Sequence, residues 1–347
     1  MKMNRLKLMA DLNKVLPGIT TGKTILEDAD TAVFRKGHIY TYNSAISVDV
    51  KNSQDFDLEG VVKAQDFYEC LTKLPNDDFE ITQEDSVWVL KDGKIKVKIR
   101  LIPSKPELFK KFDSLNPTEN WTAIDGADFN KALKICNMPK NNSKFSGIFC
   151  DGENLISTDS FTINRYNLGN SIQKFWISNS AVSELLKWTN FTDIQFNKMW
   201  IQFKSSDEAV FSVRSLDVES FPIDRISSII TSTIEKDSSF ESEFTPEFFE
   251  AVERAAVFSG ENDGHSTVDL NITSTGTEIS SARMSGEYDE VVDNITSENQ
   301  DFRLTFDVEL LQSCSGLFSK FKFIENSTAI FVVLTVDKAI KIFSSIV

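Results

Sequence analysis

Histidine and cysteine are scarce in this 347-residue chain. The two histidines and four cysteines are His38, His265, Cys70, Cys136, Cys150 and Cys314. The histidines stand far apart and no two cysteines form a CxxC pair, so the sequence argues against a His/Cys zinc site. Scattered cysteines in apolar contexts are typical of buried free thiols in a reducing cytoplasm.

Long apolar runs and an excess of cations are also lacking. The longest apolar stretches are short and interrupted by charge, so we expect no transmembrane helix and no membrane partner. The N-terminal segment MKMNRLKLMADLNK is basic without a continuous apolar stretch, unlike a secretory signal. The net charge of −15 argues against a nonspecific nucleic-acid binder, but it leaves open a locally basic ring or cleft. We expect a cytoplasmic protein.

The stretch PGITTGKT at residues 17–24 resembles a phosphate-binding loop. A P-loop needs four residues between its glycines, yet only three separate Gly18 from Gly22, and the position that should be glycine is Pro17. A P-loop also follows a strand and opens a helix, whereas this stretch follows a helical pattern and precedes a strand-like one. An ATP-binding enzyme therefore stays an open but weak alternative.

One unit is repeated along the chain. Six short amphipathic segments, spaced roughly 50–65 residues apart, have apolar residues at i, i+3, i+4 and i+7. These segments are 6–16, 64–74, 127–138, 180–188, 246–258 and 307–318. Cap or first-turn signals for several of these helices are Asp66, Asp128, Thr245-Pro246 and Asp307.

Between the helices the apolar pattern changes to period two, which predicts antiparallel strands. Asp92-Gly93 and Asp151-Gly152 are hairpin signals in these regions. Six helix-and-sheet units pair into three similar α+β domains, each with two helices against antiparallel sheet. We predict domains at 1–117, 118–235 and 236–347, with linkers near 103–120 and 220–239.

Several motifs resemble one family in order and spacing over nearly the full length. STDSFTINRYNL (157–168) resembles its Thr-Asp-Gly-His-Arg-Leu stretch, and VERAAVFSGEN (252–262) resembles its Ala-Arg-Ala-Ala-Ile-Leu-Ser-Asn-Glu helix end. DVESFPIDRI (217–226) and the C-terminal IKIFSSIV resemble two further segments. The family is the bacterial-type DNA sliding clamp, the DNA polymerase III beta subunit. The family's Gly-His-Arg is here Ser160-Phe161-Thr162, and this divergence suggests a viral or otherwise distant clamp.

The resemblance implies a head-to-tail homodimeric ring, with helices lining a hole around double-stranded DNA. Such a ring is a non-catalytic processivity factor without a cofactor, which tethers a replicative DNA polymerase and is loaded by a clamp loader. By matched position, the DNA-contact candidates are Lys23, Lys140, Lys144 and Phe145. Each could instead be an ordinary surface or core residue.

The resemblance also implies an apolar groove that receives a short peptide from partners. The matched lining residues are Leu155, Thr158, Ser160, Ile163, Pro222, Arg225, Ile226, Phe343 and Ile346. Ile163 and Ile226 could equally be plain core residues. The altered residues near 160–162 and 343–346 leave the peptide preference open.

The segment GKIKVKIRLI (93–102) alternates strictly and predicts a half-buried edge strand that pairs with a second chain. The matching acidic segment is GEYDEVVD (286–293). The predicted inter-chain residues are Lys94, Lys96, Val97, Ile99, Val257, Phe258, Glu287, Asp289 and Glu290. We expect the apolar contacts between the two chains to dominate the stability of the dimer, and the charges to set the orientation of the partner.

Besides the ATP-binding enzyme, one further alternative to the ring remains. A clamp-fold protein without DNA loading could act as an acidic binding module. Carboxylate pairs such as Asp77-Asp78 could be read as acid/base or metal groups, but no histidine, lysine or nucleophile accompanies them in a motif. We therefore interpret them as surface or interface charge and predict no catalytic residue, although a site made of carboxylates alone is compatible with the composition.

Overall fold

The structure is a computed structural model that describes residues 1–20, 28–54, 57–103, 106–115, 120–138, 143–262, 265–326 and 329–345. Lys23, Lys140 and Ile346, three of the predicted site residues, lie outside the described residues. Within the described part of the chain, every helix is too short or too polar to cross a bilayer.

The chain divides into two compact units. Unit 1 comprises Met1–Lys131 and Phe175–Val218, and unit 2 comprises Ala132–Lys174 and Glu219–Val347. The three-domain division at 117/118 and 235/236 stays a prediction. The α+β class with antiparallel sheets is confirmed.

Unit 1 contains the helices and strands of residues 1–131 and 175–218. Its helices are α1 Arg5–Val15, α2 Ala64–Thr72, α3 Pro106–Leu115 and α5 Asn179–Leu185. Its strands are β1 Lys2–Asn4, β2 Thr31–Arg35, β3 His38–Tyr42, β4 Ile46–Lys51, β5 Gly60–Lys63, β6 Asp78–Glu84, β7 Val87–Asp92, β8 Ile95–Arg100, β9 Thr122–Ala123, β13 Phe175–Ile177, β14 Phe191–Asn197, β15 Trp200–Ser205 and β16 Val210–Arg214. Helix α4, Gly126–Cys136, begins in unit 1 and ends in unit 2.

Unit 2 contains the remaining elements. Its helices are α6 Ile223–Ile234, α7 Pro246–Ala255 and α8 Val308–Gln312. Its strands are β10 Ile148–Cys150, β11 Asn154–Thr158, β12 Thr162–Asn167, β17 Phe240–Glu243, β18 Glu261–Asn262, β19 His265–Thr273, β20 Gly276–Arg283, β21 Gly286–Val292, β22 Phe302–Asp307, β23 Lys320–Asn326, β24 Ala329–Val336 and β25 Ala339–Ser344.

All six predicted helices are present, and their caps follow the sequence signals. The side chains of Thr245 and Asp307 accept hydrogen bonds from Phe248 N and Leu310 N, which caps α7 and α8. Asp66 and Asp128 lie in the first turns of α2 and α4, where a carboxylate favours the helix dipole. Each helix buries one apolar stripe, as period 3.6 predicts.

Two sheets form unit 1. The larger has the order β5-β2-β3-β4-β16-β15-β14-β9, and the smaller has the order β1-β6-β7-β8. Val48 of β4 lies opposite Phe211 of β16, so one continuous antiparallel sheet joins chain segments on either side of the predicted 117/118 boundary. The smaller sheet ends at β8.

Unit 2 repeats this arrangement. Its strands β10-β11-β12-β25-β24-β23-β17 follow one another in one sheet, and Ile163 of β12 lies opposite Ile342 of β25. This pairing likewise joins segments on either side of the predicted 235/236 boundary. The second sheet has the order β18-β19-β20-β21, with β22 paired to β19, and it ends at β21.

Each of the two predicted linkers contains a helix that the sequence analysis did not predict. In 103–120, α3 buries Leu108 and Phe112 against Val33 and Val61 on the face of the larger unit 1 sheet. In 220–239, α6 buries Ile226, Ile230 and Thr233. Both segments look polar because each helix exposes its other face to solvent.

The cysteines are free thiols with little access to solvent. Cys136, Cys150 and Cys314 are buried, and Cys70 is partly buried. Burial raises the pKa of the Cys150 thiol to about 12. Because the thiolate is the reactive form, these residues are packing residues rather than nucleophiles.

Candidate functional site

Strand β8 is an exposed edge. It pairs with β7 through Trp88↔Ile99 and Leu90↔Val97, and among the described residues no strand covers its other side. Lys96, Lys98 and Arg100 are exposed along it, whereas Val97 and Ile99 are half-buried. The predicted alternation is therefore present, and unpaired main-chain groups lie beside a row of cations.

Strand β21 is the corresponding edge in unit 2. It pairs with β20 through Ser280↔Asp289 and Ile279↔Glu290, and its far side is likewise uncovered by any strand of the described chain. Glu287 and Asp289 are exposed. The two unpaired edges therefore carry opposite charge.

Val257 and Phe258 lie in a short turn of 3-10 helix, Ala256–Phe258, directly after α7. Val257 is 57% exposed, which is high for an aliphatic side chain. Phe258 lies against β21: a Cβ at Gly286 would be 2.8 Å from Cε1 of Phe258, so glycine allows the ring to approach the strand. The guanidinium of Arg283 lies 5.8 Å from the centre of the same ring.

Glu290 differs from the other acidic residues of β21. Arg254 of α7 binds it with two hydrogen bonds, Nη2 to Oε1 at 2.7 Å and Nε to Oε2 at 2.9 Å, and Tyr288 donates its hydroxyl to Oε2. Arg254 and then Tyr288 lower the pKa of Glu290 by stabilising the carboxylate. Tyr288 and Glu290 thus face α7, while Glu287 and Asp289 are left on the exposed face.

Lys144 and Phe145 lie in the segment between α4 and β10. The ammonium of Lys144 is 4.8 Å from the centre of the Phe145 ring, an arrangement that cation–π attraction favours. Phe145 is half-buried and packs edge-on against Phe221, which stacks on Phe149 at 4.4 Å. Phe145 therefore serves partly as core, and Lys144 is the more exposed of the two candidates.

Several cations in or beside α1 form ion pairs with carboxylates of the same chain. Lys2 pairs with Asp78 at 3.1 Å and Arg5 pairs with Asp77 at 3.0 Å. Lys14 pairs with Asp207. These contacts also account for the Asp77-Asp78 pair as surface charge. On α1, Lys7 is exposed and forms no ion pair within the described residues.

The exposed faces of the other helices differ in sign. Lys131 and Lys134 are exposed on α4. Glu247, Glu250 and Glu253 are exposed on α7. The helix faces are therefore unevenly charged, and a polyanion would be attracted to some of them and repelled by others.

The predicted groove residues lie in unit 2. Thr158, Ile163 and Phe343 are brought together at one end of the sheet, because Thr158 is opposite Ile163 and Phe343 is opposite the adjacent Thr162. Pro222, Arg225 and Ile226 lie at the start of α6.

These residues differ in exposure. Ser160 and Arg225 are exposed and Pro222 is half-buried, whereas Leu155, Thr158, Ile163, Ile226 and Phe343 are buried. The buried residues belong to the core of unit 2, and the peptide groove stays a prediction.

Two other hypotheses receive no support from the geometry. The first glycine of PGITTGKT packs tightly on a side chain: a Cβ at Gly18 would lie 2.1 Å from Oγ1 of Thr41, so close packing alone explains it. Residues 21–27 lie outside the described part of the chain, and the next element after them is strand β2. Among the described residues, no three His, Cys, Asp or Glu side chains are grouped as a metal site requires.

Solved structures with similar folds identify the architecture. The chain matches the DNA polymerase sliding clamp from Bacillus subtilis with a TM-score of 0.78 and 18% identity, over 100% of this chain and 98% of that one. It matches the beta subunit from DNA polymerase of Streptococcus pyogenes with a TM-score of 0.79 and 17% identity, over 99% of both chains. A Pseudomonas aeruginosa sliding clamp bound to griselimycin matches with a TM-score of 0.77 and 14% identity, over 100% of this chain and 99% of that one.

The chain has the sliding-clamp fold. The resemblance read from the sequence motifs is thus confirmed at the level of fold over the whole chain. No model of a known protein family and no curated protein matches the sequence. Matches at this identity establish the fold alone. The residues predicted to contact DNA, a partner peptide or a second chain stay predictions.

Sequence reasoning missed the internal role of Glu290. Strand alternation could have predicted this role, because successive side chains of a strand lie on opposite faces of the sheet. Glu287 and Asp289 therefore share one face of β21, and Tyr288 and Glu290 share the other. Arg254, spaced 36 residues from Glu290 in the chain, has no local signal that points to its partner.

We predict that Glu290→Gln destabilises the clamp fold and that Asp289→Asn does not. Because the pKa of Glu290 is lowered in the folded state, its ion pair stabilises the fold above the ordinary glutamate pKa and this contribution is lost as pH falls through the folded-state value. Thermal unfolding should show a midpoint lower by about 1–2 °C for Glu290→Gln at pH 7. The difference from wild type should disappear in strong acid. Equal effects of both substitutions, or a difference independent of pH, would contradict this assignment.

Proposed function

We propose that the protein is a DNA sliding clamp: a non-catalytic ring of two chains that encircles duplex DNA and tethers a replicative polymerase. The observation that carries the proposal is the pair of open edges in a clamp fold matched over its full length. One edge is cationic and the other anionic, which suits head-to-tail pairing of β8 in one chain with β21 in the next.

The inter-chain contact combines three kinds of interaction. Main-chain hydrogen bonds between β8 and β21 would satisfy the exposed donors and acceptors of both edges. Val97 and Ile99 of one chain would pack on Val257 and Phe258 of the other and bury the exposed aliphatic surface. Lys96 and Lys98 would face Glu287 and Asp289 and set the orientation, while Glu290 stays bound to Arg254.

Contact with DNA in this proposal is weak and salt-sensitive. Cations that form no ion pair within the described residues, such as Lys7, Lys134 and Lys144, would meet phosphates, and the acidic face of α7 would not. Retention on DNA would come from ring closure rather than from affinity, as a sliding protein requires. The protein would act in the cytoplasm together with a clamp loader, and partners would dock through a short peptide in the unit 2 groove.

The dimer is tested by exchanging charges between the two edges. Lys96→Glu with Lys98→Glu should weaken association at least tenfold, because four acidic residues would then face each other. Adding Glu287→Lys and Asp289→Lys in the same chain should restore it. Light scattering should give about twice the chain mass of 39.2 kDa for wild type and for the variant with all four substitutions. The variant with only the two lysine substitutions should have the mass of a single chain.

The control for this exchange is Met199→Glu, which places a charge on an exposed apolar residue in a hairpin turn of unit 1. It should leave the mass unchanged. A wild-type chain that is monomeric at micromolar concentration would contradict the ring. If the variant with Lys96→Glu and Lys98→Glu stays dimeric, other surfaces form the contact between the chains.

DNA contact is tested by the salt dependence of binding to a short duplex. Replacing Lys23, Lys140 and Lys144 with Ala should make the slope of log K against log salt shallower, by up to about 0.9 for each phosphate that the variant no longer neutralises. Fluorescence anisotropy at several salt concentrations measures it. Lys36, Lys174 and Lys198, replaced together, are the matched control with the same charge change. Equal slopes for the two triple variants would contradict the predicted contacts.

A further inference from the structure

An apolar patch lies at one end of the larger unit 1 sheet. It consists of Tyr42, Met199, Trp200 and Leu216, and we call it the unit 1 patch. Met199 is 53% exposed and Leu216 is 39% exposed, while the two rings are half-buried. Single exposed apolar residues are ordinary on a protein surface, whereas a group of them drawn from several segments is a feature of interaction sites.

Three segments of the chain meet in the unit 1 patch. The ring centres of Tyr42, at the end of β3, and Trp200, at the start of β15, lie 5.9 Å apart. Met199 directly precedes Trp200, and its carbonyl accepts a hydrogen bond from Ser215 N, next to Leu216, at 2.7 Å. A partner therefore meets a backbone that is already ordered, which reduces the entropy cost of binding.

Three cations adjoin the unit 1 patch. The ammonium of Lys111, on α3, lies 5.2 Å from the centre of the Tyr42 ring. Lys198 is exposed in the turn between β14 and β15, and Arg214 is exposed at the end of β16. None of these three cations forms an ion pair within the described residues.

The balance of charge beside the patch is positive. Of the carboxylates close to these cations in the sequence, that of Asp113 is bound by Arg35 at 3.0 Å, and Asp217 is exposed after Leu216. Three cations in one place are unusual in a chain with a net charge of −15. Charge complementarity therefore favours a partner with acidic residues.

The exposure of the side chains favours a peptide over a single-stranded nucleic acid. Bases stack on open aromatic faces. The face of Tyr42 is occupied by the Lys111 ammonium, and the Trp200 ring is inclined to that of Tyr42 by 44°. The more exposed members, Met199 and Leu216, offer no ring. Methionine, tyrosine, tryptophan and arginine are enriched in interfaces between proteins.

The internal repeat of the fold also relates this end of the sheet to peptide binding. The order β3-β4-β16-β15 in unit 1 corresponds to β11-β12-β25-β24 in unit 2. The pair Ile46↔Val213 then corresponds to Thr162↔Phe343, beside which the groove residues of unit 2 are predicted to meet. A linear peptide as the partner rests partly on the proposed function, since the unit 2 groove is itself a prediction.

We propose that the unit 1 patch is a second docking surface, separate from the unit 2 groove, for a linear peptide of a partner protein. The peptide would place large apolar side chains on Met199 and Leu216, and its acidic residues would lie near Lys111, Lys198 and Arg214. A chain with two such surfaces could hold two partners, or two segments of one partner, at once.

The test uses a phage-displayed library of random dodecapeptides. The library is depleted on the variant with Met199→Asp and Leu216→Asp and then selected on wild type. The selected peptides should share a large apolar residue beside acidic residues. In anisotropy measurements with the synthesised consensus peptide, the depletion variant should bind at least about tenfold more weakly than wild type.

Two further variants separate the apolar and charged contributions. Leu216→Met keeps an apolar side chain of similar volume and should bind the consensus peptide within about twofold of wild type. Lys198→Ala with Arg214→Ala should weaken binding about threefold or more and should make it less sensitive to added NaCl.

The matched control is Met284→Asp, which places the same charge on an exposed methionine in the turn between β20 and β21. It should leave binding of the consensus peptide unchanged. Arg225→Glu, at an exposed member of the predicted unit 2 groove, should also leave it unchanged. The unfolding midpoints of all these variants should match wild type, since the substituted side chains are exposed.

Failure to select a consensus after depletion, or equal binding by wild type and the depletion variant, would overturn the proposal. A consensus that depends on Arg225 alone would support the unit 2 groove and contradict a second surface. A short oligothymidylate that binds wild type but not the depletion variant, in the absence of a peptide consensus, would assign the patch to nucleic acid. A lower mass of the depletion variant in light scattering would assign it to contact between chains.

These outcomes are distinct from failure of the ring. A wild-type chain that is monomeric, yet binds the consensus peptide through Met199 and Leu216, would contradict the proposed dimer and leave the docking surface standing.

Discussion

Unpaired backbone at two sheet edges is the constraint on which the rest of this molecule depends. Strand β8 ends one sheet and β21 ends another, and no strand of the described chain covers either of them. Exposed edges promote uncontrolled association, so proteins protect them with charge or pair them with a defined partner. Cations along β8 and carboxylates along β21 protect the edges in this way, because each edge repels its own kind. In the ring that we propose, a closed assembly of two chains would satisfy this constraint without adding any element to the fold.

Charge in this protein is used more for structure and orientation than for affinity. With a net charge of −15, the chain has few cations to spare, and several near α1 are held by carboxylates of the same chain. Arg254 is likewise bound to Glu290, which removes one acid from the exposed face of β21. The cations that remain suit loose, salt-sensitive contact with a polyanion. In the ring that we propose, such contact would be enough, because ring closure would retain the protein on DNA and tight binding would oppose sliding.

Much of the fold could be predicted from the sequence because its signals are local. The period of 3.6 identified all six paired helices, and caps such as Thr245 and Asp307 lie where their hydrogen bonds require. The two connecting helices were missed because α3 and α6 expose a polar face that resembles a linker. Ion pairs such as Arg5–Asp77 join residues 72 positions apart, and composition cannot reveal them. The unit 1 patch joins residues of β3, β15 and the segment after β16, and only the structure brings these segments together.

Covalent closure on DNA would show whether two chains form a ring around the duplex. The chain would carry Lys96→Cys on β8, Asp289→Cys on β21 and Cys70→Ser, which removes the one native thiol that is partly exposed. It would be assembled from monomers with nicked circular plasmid or with the same plasmid linearised, linked with a bifunctional maleimide and then denatured in detergent. If two chains close around the duplex, protein should stay on the circular DNA after denaturation and be lost from the linear DNA. Equal retention on the two forms, or a chain that does not link to a second chain, would contradict it.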